Sequence, residues 1–404
     1  MTLTGAPPGR GRTGVNVAAL ALCSLAILAG VAPATRAAGS GGTWSVTAKL
    51  EIRHVEAVAV APDGAWGAAV ARNPSRLVWL KMPSGRVAGS VPLPAAPTHV
   101  IFDASGRAVA VSYGACAPGP GPCAHTGYVT VVPTGESRAT RVDTGSGAGL
   151  LAAVPGAAGQ EILVADAGAG TVAEVDAATG AVTRTVTVGP GVFSGLAASP
   201  DGHLAAASSE TAGAVWVFDL STGRVKASGY VPGAPGPVVF RGDTRVYVGE
   251  QDGEDLFALD SQTGSVQSRG RIADELGDIL YLPSGPSGVV LVGSRTVQEV
   301  EVLGLWQEGS KIVRPGFAQM PFGAASAGVT GTIARADQGL EALAIAPRGL
   351  LVLSAPTFAT SQWLRPPVLG GGPIALACSG GAVALVATRG HVDVLRMSRA
   401  GTSS

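Results

Sequence analysis

Charge is scarce in this 404-residue sequence: Asp, Glu, Lys and Arg make up 14% of it, with 28 bases against 28 acids. A chain with no net positive field offers no electrostatic footprint for a polyanion, so neither nucleic acid nor an anionic membrane surface is an expected partner. Aromatic residues are few, at 5%. Enzyme signatures are missing as well. No GxSxG elbow, no phosphate-cradling loop ending in Gly-Lys, no HExxH and no CxxCH haem attachment occurs. That silence lowers the expectation of catalysis without removing it, because a site assembled from distant segments leaves no local motif. No residue pattern specifies a cofactor.

Long apolar runs are confined to one place, Val15 to Val31. Arg10 and Arg12 precede this run, and the small residues Ala32-Pro33-Ala34 and Ala37-Ala38 follow it, which is the layout of a secretory signal over residues 1–38. The arginines are not adjacent, against the twin-arginine route, and Leu22 before Cys23 is too bulky for lipoprotein processing. The alternative, an uncleaved anchor, meets a run just short of a comfortable span. The expectation is an extracytoplasmic protein, secreted or periplasmic, with no membrane span once the signal is removed.

Cysteine is also sparse, with four residues, one of them in the signal. Cys116 and Cys123 flank Ala-Pro-Gly-Pro-Gly-Pro, a stretch that cannot form regular structure yet keeps its ends close. In an oxidising compartment the two are expected to pair. A metal site of Cys116, Cys123 and His125 is the alternative, although the spacing exceeds the usual zinc pattern and no fourth ligand is apparent. Cys378 lies in an apolar run and reads as a buried free thiol.

What the chain has in abundance is turn-forming residues, 59 Gly and 28 Pro, beside an apolar fraction of 46%. That composition suits many short strands. One hairpin phrase recurs: Trp79 to Val87, Val175-Asp176-Ala177-Ala178-Thr179-Gly180, Phe218-Asp219-Leu220-Ser221-Thr222-Gly223, and Leu259-Asp260-Ser261-Gln262-Thr263-Gly264, with a weaker copy at Val132-Pro133-Thr134-Gly135. The glycines recur about every 41 to 50 residues, a blade-like period. A second phrase precedes each hairpin, an apolar small-residue strand ending in a Gly turn: Ala57 to Gly64, Val100 to Gly106, Leu196 to Gly202 and Leu343 to Gly349. These read as innermost strands of a radial array, where large side chains would collide.

The expected fold is therefore all-β: a seven- or eight-bladed propeller of four-stranded blades over residues 39–398, with 399–404 as a disordered tail. Inner strands are expected near His54, Thr98, Gly149, Ser194, Gly236, Gly277, Glu341 and Gly372. The stretch Gln319 to Gly339 fits no repeat, which leaves the count open. The last unit lacks its outer strand, so the strand Trp44 to Ile52 is expected to complete it and close the ring.

The Pro-Asp-Gly turns and Asp-x-x-Thr-Gly-x-Val hairpins resemble those of the YVTN-type extracytoplasmic propellers, a group related in fold to quinoprotein amine dehydrogenase heavy chains and lactonase-type propellers. The namesake tetrapeptide is represented only by strands such as Ala110-Val111-Ser112-Tyr113, and no Trp-Asp pair typical of WD40 blades occurs. The resemblance implies blade geometry and carries over no catalytic residue. The function it favours is a non-catalytic binding or scaffold module for a protein partner or small polar ligand. The alternatives are a subunit of a quinoprotein-like enzyme and a lactonase-like hydrolase.

Two clusters are candidate sites. Glu250, Asp252, Glu254 and Asp255 crowd one hairpin, as an oxygen-rich calcium loop or as a solvated tip. Aligning blades on their turns puts Glu56, Thr98, Ser194 and Glu341 at one position, with His99 and Asp278 one residue further on. Convergence of these at a channel mouth would suit a divalent cation or polar ligand; the alternative is a set of separate, solvated residues.

Overall fold

The computed structural model describes residues 43–115, 124–125, 127–145, 147–156, 159–166, 169–250, 253, 255–271, 276–282, 289–294, 299–305, 312–319, 334–336, 339–346, 349–354, 359–364, 374–377, 383–387 and 390–398. Beyond residue 271 it describes backbone alone, save Ile279, 384–387 and 390–396. The described strands assemble into eight antiparallel sheets, seven of four strands and one of five. Six successive sheets, here blades one to six, span 55–92, 97–143, 148–187, 193–230, 235–271 and 276–319, and a seventh spans 334–364. The closing blade takes its outer strand from Thr43–Leu50, which pairs with Val392–Ser398 as the expected ring closure requires.

Each strand's alternation of side chains decides where the core lies. In blade one, Val78 and Leu80 join Leu385, Val392 and Val394 of the closing blade, whereas Leu77 and Trp79 join Val100 and Phe102 of blade two. Comparable clusters fill the seams between blades two and three, three and four, and four and five. The core is thus a series of seams rather than a single centre, and no blade buries both faces without its neighbours.

The recurring hairpin has a physical explanation. Asp260 accepts from the Gln262 and Thr263 amides at 2.8 and 2.9 Å, and Asp219 does the same with Ser221 and Thr222, both at 2.8 Å. The Ser221 hydroxyl adds a bond of 2.6 Å, and together these donors hold the Asp219 carboxyl down to about 2. Gly264 then turns at φ +72°, and a Cβ there would overlap the Ser228 backbone of the preceding blade. Glycine serves two needs at once, a left-handed turn and contact with the neighbouring blade.

Outer strands carry a second shared feature. Pairing of the third and outer strands skips a residue at Ala88, Thr183, Lys226, Gln267, Ser361 and, in the closing blade, Thr47. A bulge at the same level of so many edges interrupts the flat row of free backbone groups that invites edge-to-edge association.

Candidate functional site at the strand-entrance face

Antiparallel order within each sheet and short links between sheets fix two faces. Inner strands start, second strands end, third strands start and outer strands end on one side, here the entrance face; the remaining turns form the exit face. Exit turns between inner and second strands in blades one, two and four are five residues each, 61–65, 103–107 and 199–203. The longest connections between strands, 116–127, 320–333 and 365–373, all join strand ends on the entrance face. The acidic hairpin also lies there, between second and third strands of blade five.

Inner strands are bulged where they begin. Pairing with the second strand skips Glu56 in blade one, Thr98 in blade two, Gly149 in blade three, Ser194 in blade four and Gly277 in blade six. Glu56, Thr98 and Ser194 therefore occupy one structural position, as the aligned turns suggested, and His99 and Asp278 are the next paired residues of their strands. Glu341 does not share that position. Its strand, Gly339–Ala346, is second in its sheet, because the short strand Ala334–Ala336 takes first place.

The polar side chains at these bulges run around the ring rather than across it. Ser112, with no exposed surface, donates to the Gly149 carbonyl of blade three at 3.2 Å. Thr98 Oγ1 and His99 Nδ1 each lie 3.2 Å from the Ser112 hydroxyl, and 3.2 Å from each other. Two blades on, Ser194 donates to the Pro235 carbonyl and Ser208 to that of Gly236, both in blade five. Glu56 is in ionic contact with Arg72 at 3.0 Å; burial raises its pKa, opposed by Arg72 and His54. Ser112, Ser194 and Ser208 thus each hold a neighbour's strand entrance, and Thr98 braces Ser112 within its own blade; alignment located Thr98 and Ser194 without specifying these roles.

Carboxylates at the ends of second strands seat the loops above them. Asp166, fully buried, accepts from the Ala169 amide at 3.2 Å, and a Cβ at Gly145 would overlap it. Glu250 lies in the same way under Gly233 and Gly253. Asp255 is buried and paired with Arg269, whose guanidinium is 5.6 Å from the Phe257 ring. Within the acidic hairpin, then, Glu250 and Asp255 have structural duties, and Asp252 and Glu254 lie outside the described residues. So do Cys116, Cys123 and Cys378. Among the described residues, no group of three or more His, Cys, Asp or Glu is arranged to hold a metal ion.

Exposed apolar surface on this face had no sequence signal. Tyr230, at the end of the outer strand of blade four, is 72% exposed, and Val192, in the link leading into that blade, is 42% exposed. Thr211, exposed in the turn between the second and third strands of the same blade, accepts from the Val192 amide at 2.9 Å.

No protein-family model and no curated protein matches the sequence. Among solved structures, the crystal structure of the C-terminal WD40 domain of Sif2 is similar, with a TM-score of 0.65 over 89% of this chain and 100% of that one. Identity is 12%, so the likeness shows the propeller fold alone. Among the described residues no helix is long and apolar enough to cross a membrane.

Proposed function

We propose that this chain is an exported, non-catalytic binding module that presents its entrance face to a protein partner or small polar ligand. The observation that carries this reading is the asymmetry of the two faces. The longest connections, 116–127, 320–333 and 365–373, and the isolated exposed side chains Val192 and Tyr230 lie at the entrance face, while the exit turns run from two to seven residues and the exposed valines beside them, Val87, Val182, Val225 and Val266, repeat one position of the outer strand. Binding surfaces on repeat scaffolds are commonly made by varying loops on one side of a constant frame.

The Ser112–His99 contact argues against hydrolysis at the mouth. A catalytic serine must reach substrate, and Ser112 is sealed and spends its proton on the Gly149 carbonyl. Cys116 and Cys123 are proposed to close the longest of the links between second and third strands as a disulfide. Mass spectrometry of non-reduced peptides should find them joined; two alkylatable thiols would refute the bond.

Photo-crosslinking tests the face. A reactive residue at Thr211 is expected to capture partners from the native compartment, and one at Ser221 on the exit face is not. Equal capture from both, or capture from Ser221 alone, overturns the assignment. Export is tested by amino-terminal sequencing of the extracytoplasmic protein, expected to start near residue 39; recovery only from the cytoplasm overturns it.

A further inference from the structure

One strand pair closes the ring, Thr43–Leu50 against Val392–Ser398, and the first of these is lightly held. From Ser45 to Leu50 side chains alternate between exposed and half-buried, and none is fully buried. The outer strands of blades one to four each bury at least one side chain, namely Val91, Val142, Val186 and Ala227.

Beneath this clasp lies a carboxyl in an unfavourable place. Val392 and Val394 pack toward blade one, so His391, Asp393 and Leu395 take the opposite face by alternation. Asp393 has no exposed surface, and neither of its carboxyl oxygens meets a hydrogen-bond donor. His391 Nε2 stands 3.3 Å from Oδ2, within ionic range but off the line of a hydrogen bond. Lys49 is opposite Asp393 in the closing pair and exposed; Ala48 and Leu50 beside it pack toward blade one, which puts Lys49 on the Asp393 face. Other ionisable groups on the neighbouring elements are few. Arg396 alternates with Val394 and lies on the other face. The remaining strands of the closing blade, Ile374–Ala377 and Val383–Ala387, carry none, and neither do Gly349–Ser354 and Ala359–Leu364 of blade seven. Arg335 and Glu341 belong to the first two strands of that blade.

Burial without donors disfavours the charged form, and it raises the Asp393 pKa, opposed by His391 and Lys49. Lifting Thr43–Leu50 away takes Lys49 with it and lets water reach the carboxyl, which returns toward the ordinary aspartate value. The closed form therefore binds the proton more tightly than the open one. Closure gains as pH falls through the raised value, and that gain is lost as pH rises above it. We propose that closure of the ring is proton-linked, with Asp393 as the group that takes up the proton and Thr43–Leu50 as the strand loosened when the proton is given up.

The test is hydrogen–deuterium exchange of the full chain from about pH 4 to about pH 8, a range that spans ordinary and raised carboxyl values, with rates corrected for the intrinsic pH dependence of exchange. Protection of residues 43–50, taken as a ratio to that of Arg224–Tyr230 in blade four, is expected to fall as pH rises, by at most about tenfold per pH unit for one proton. Asp393→Asn is neutral at every pH and is expected to hold the ratio constant. His391→Gln and Lys49→Met each remove an opposing charge and are expected to move the fall to higher pH. Thermal melting checks that every variant is folded; if Asp393→Asn is not, the other two decide. A constant ratio in the native chain overturns the proposal, as does a fall that survives Asp393→Asn or one left unmoved by both His391→Gln and Lys49→Met. A fall abolished by His391→Gln overturns it too, because the imidazole would then be the group that titrates.

Discussion

The two faces of this ring are made from the same strands and follow different rules. On the exit face the blade-four turn is pressed against that of the preceding blade, where a Cβ at Gly202 would overlap the Pro155 carbonyl; a Cβ at Gly106 would lie 3.3 Å from Pro62, and one at Gly242 would meet nothing within 4 Å. On the entrance face the comparable turn in blade four has room, since the nearest neighbour of a Cβ at Gly213 is the edge of the exposed Tyr230 ring at 3.3 Å. Within blade four the exit turn is constrained by its neighbour and the entrance turn is not.

Substitution at matched glycines is the strongest way to break this contrast. Gly202→Ala is expected to cost about 2–4 kcal/mol in urea unfolding, from left-handed strain and a displaced backbone. Gly213→Ala, strained in the same way but with space beside it, is expected to cost about 1 kcal/mol. Equal costs would mean that the blade-four exit turn is no more tightly packed than its entrance turn.

Next comes Ser112→Ala, which leaves the Gly149 carbonyl without its donor from blade two and removes the shared hydroxyl of Thr98 and His99. About 1–2 kcal/mol is expected. Partner binding should be unchanged, which separates a strut from a contact residue; a stable variant that no longer binds would place Ser112 in the site.

Acid sharpens the comparison further. Asp219, held low by the Ser221 hydroxyl and the turn amides, stabilises the fold at and above the ordinary aspartate value, and that contribution is lost as pH falls through about 2. Glu56 has the opposite sign: burial raises its carboxyl, so its contribution grows as pH falls through the raised value. Asp219→Asn is expected to flatten the acid limb of a stability profile and Glu56→Gln to steepen it, measured by melting temperature against pH. The same slope in both variants would contradict the assignment.

Smallest in stability is Tyr230→Ser, expected to change unfolding free energy by less than about 0.5 kcal/mol because the ring is exposed. Capture of partners through Thr211 should drop. Undiminished capture would remove Tyr230 from the binding surface.

How far the sequence foretold this arrangement depends on how local each cause is. The hairpins were legible because Asp, Thr and Gly act within five residues, and the inner strands because Ala-rich alternation meets a turn with Gly at its end. Ring closure was legible from arithmetic, a strand missing at one end and spare at the other. Glu341 was misplaced for a physical reason. Leu343 to Gly349 carries the inner-strand phrase, yet three residues, Ala334–Ala336, too few to show any period, pair ahead of it. Thr98 and Ser194 were found by alignment, but their partners were hidden: Thr98 meets Ser112 and His99 of its own blade and Ser194 the Pro235 carbonyl of the next, from bulges that leave no mark in composition.

The pairing of Thr43 with Ser398 sets a timetable for the chain. The first described strand has no partner until the last one exists, so it must stay unzipped while the strands between them are made. Contacts so distant in sequence are slow to form, and an unpaired strand is meanwhile free to join the wrong neighbour. Seven blades can dock in succession beforehand, each on the one before, as an open arc with two raw ends. Completion is a single late event, and a chain halted short of its final strand would be left as that arc, nearly whole and still adhesive at both ends.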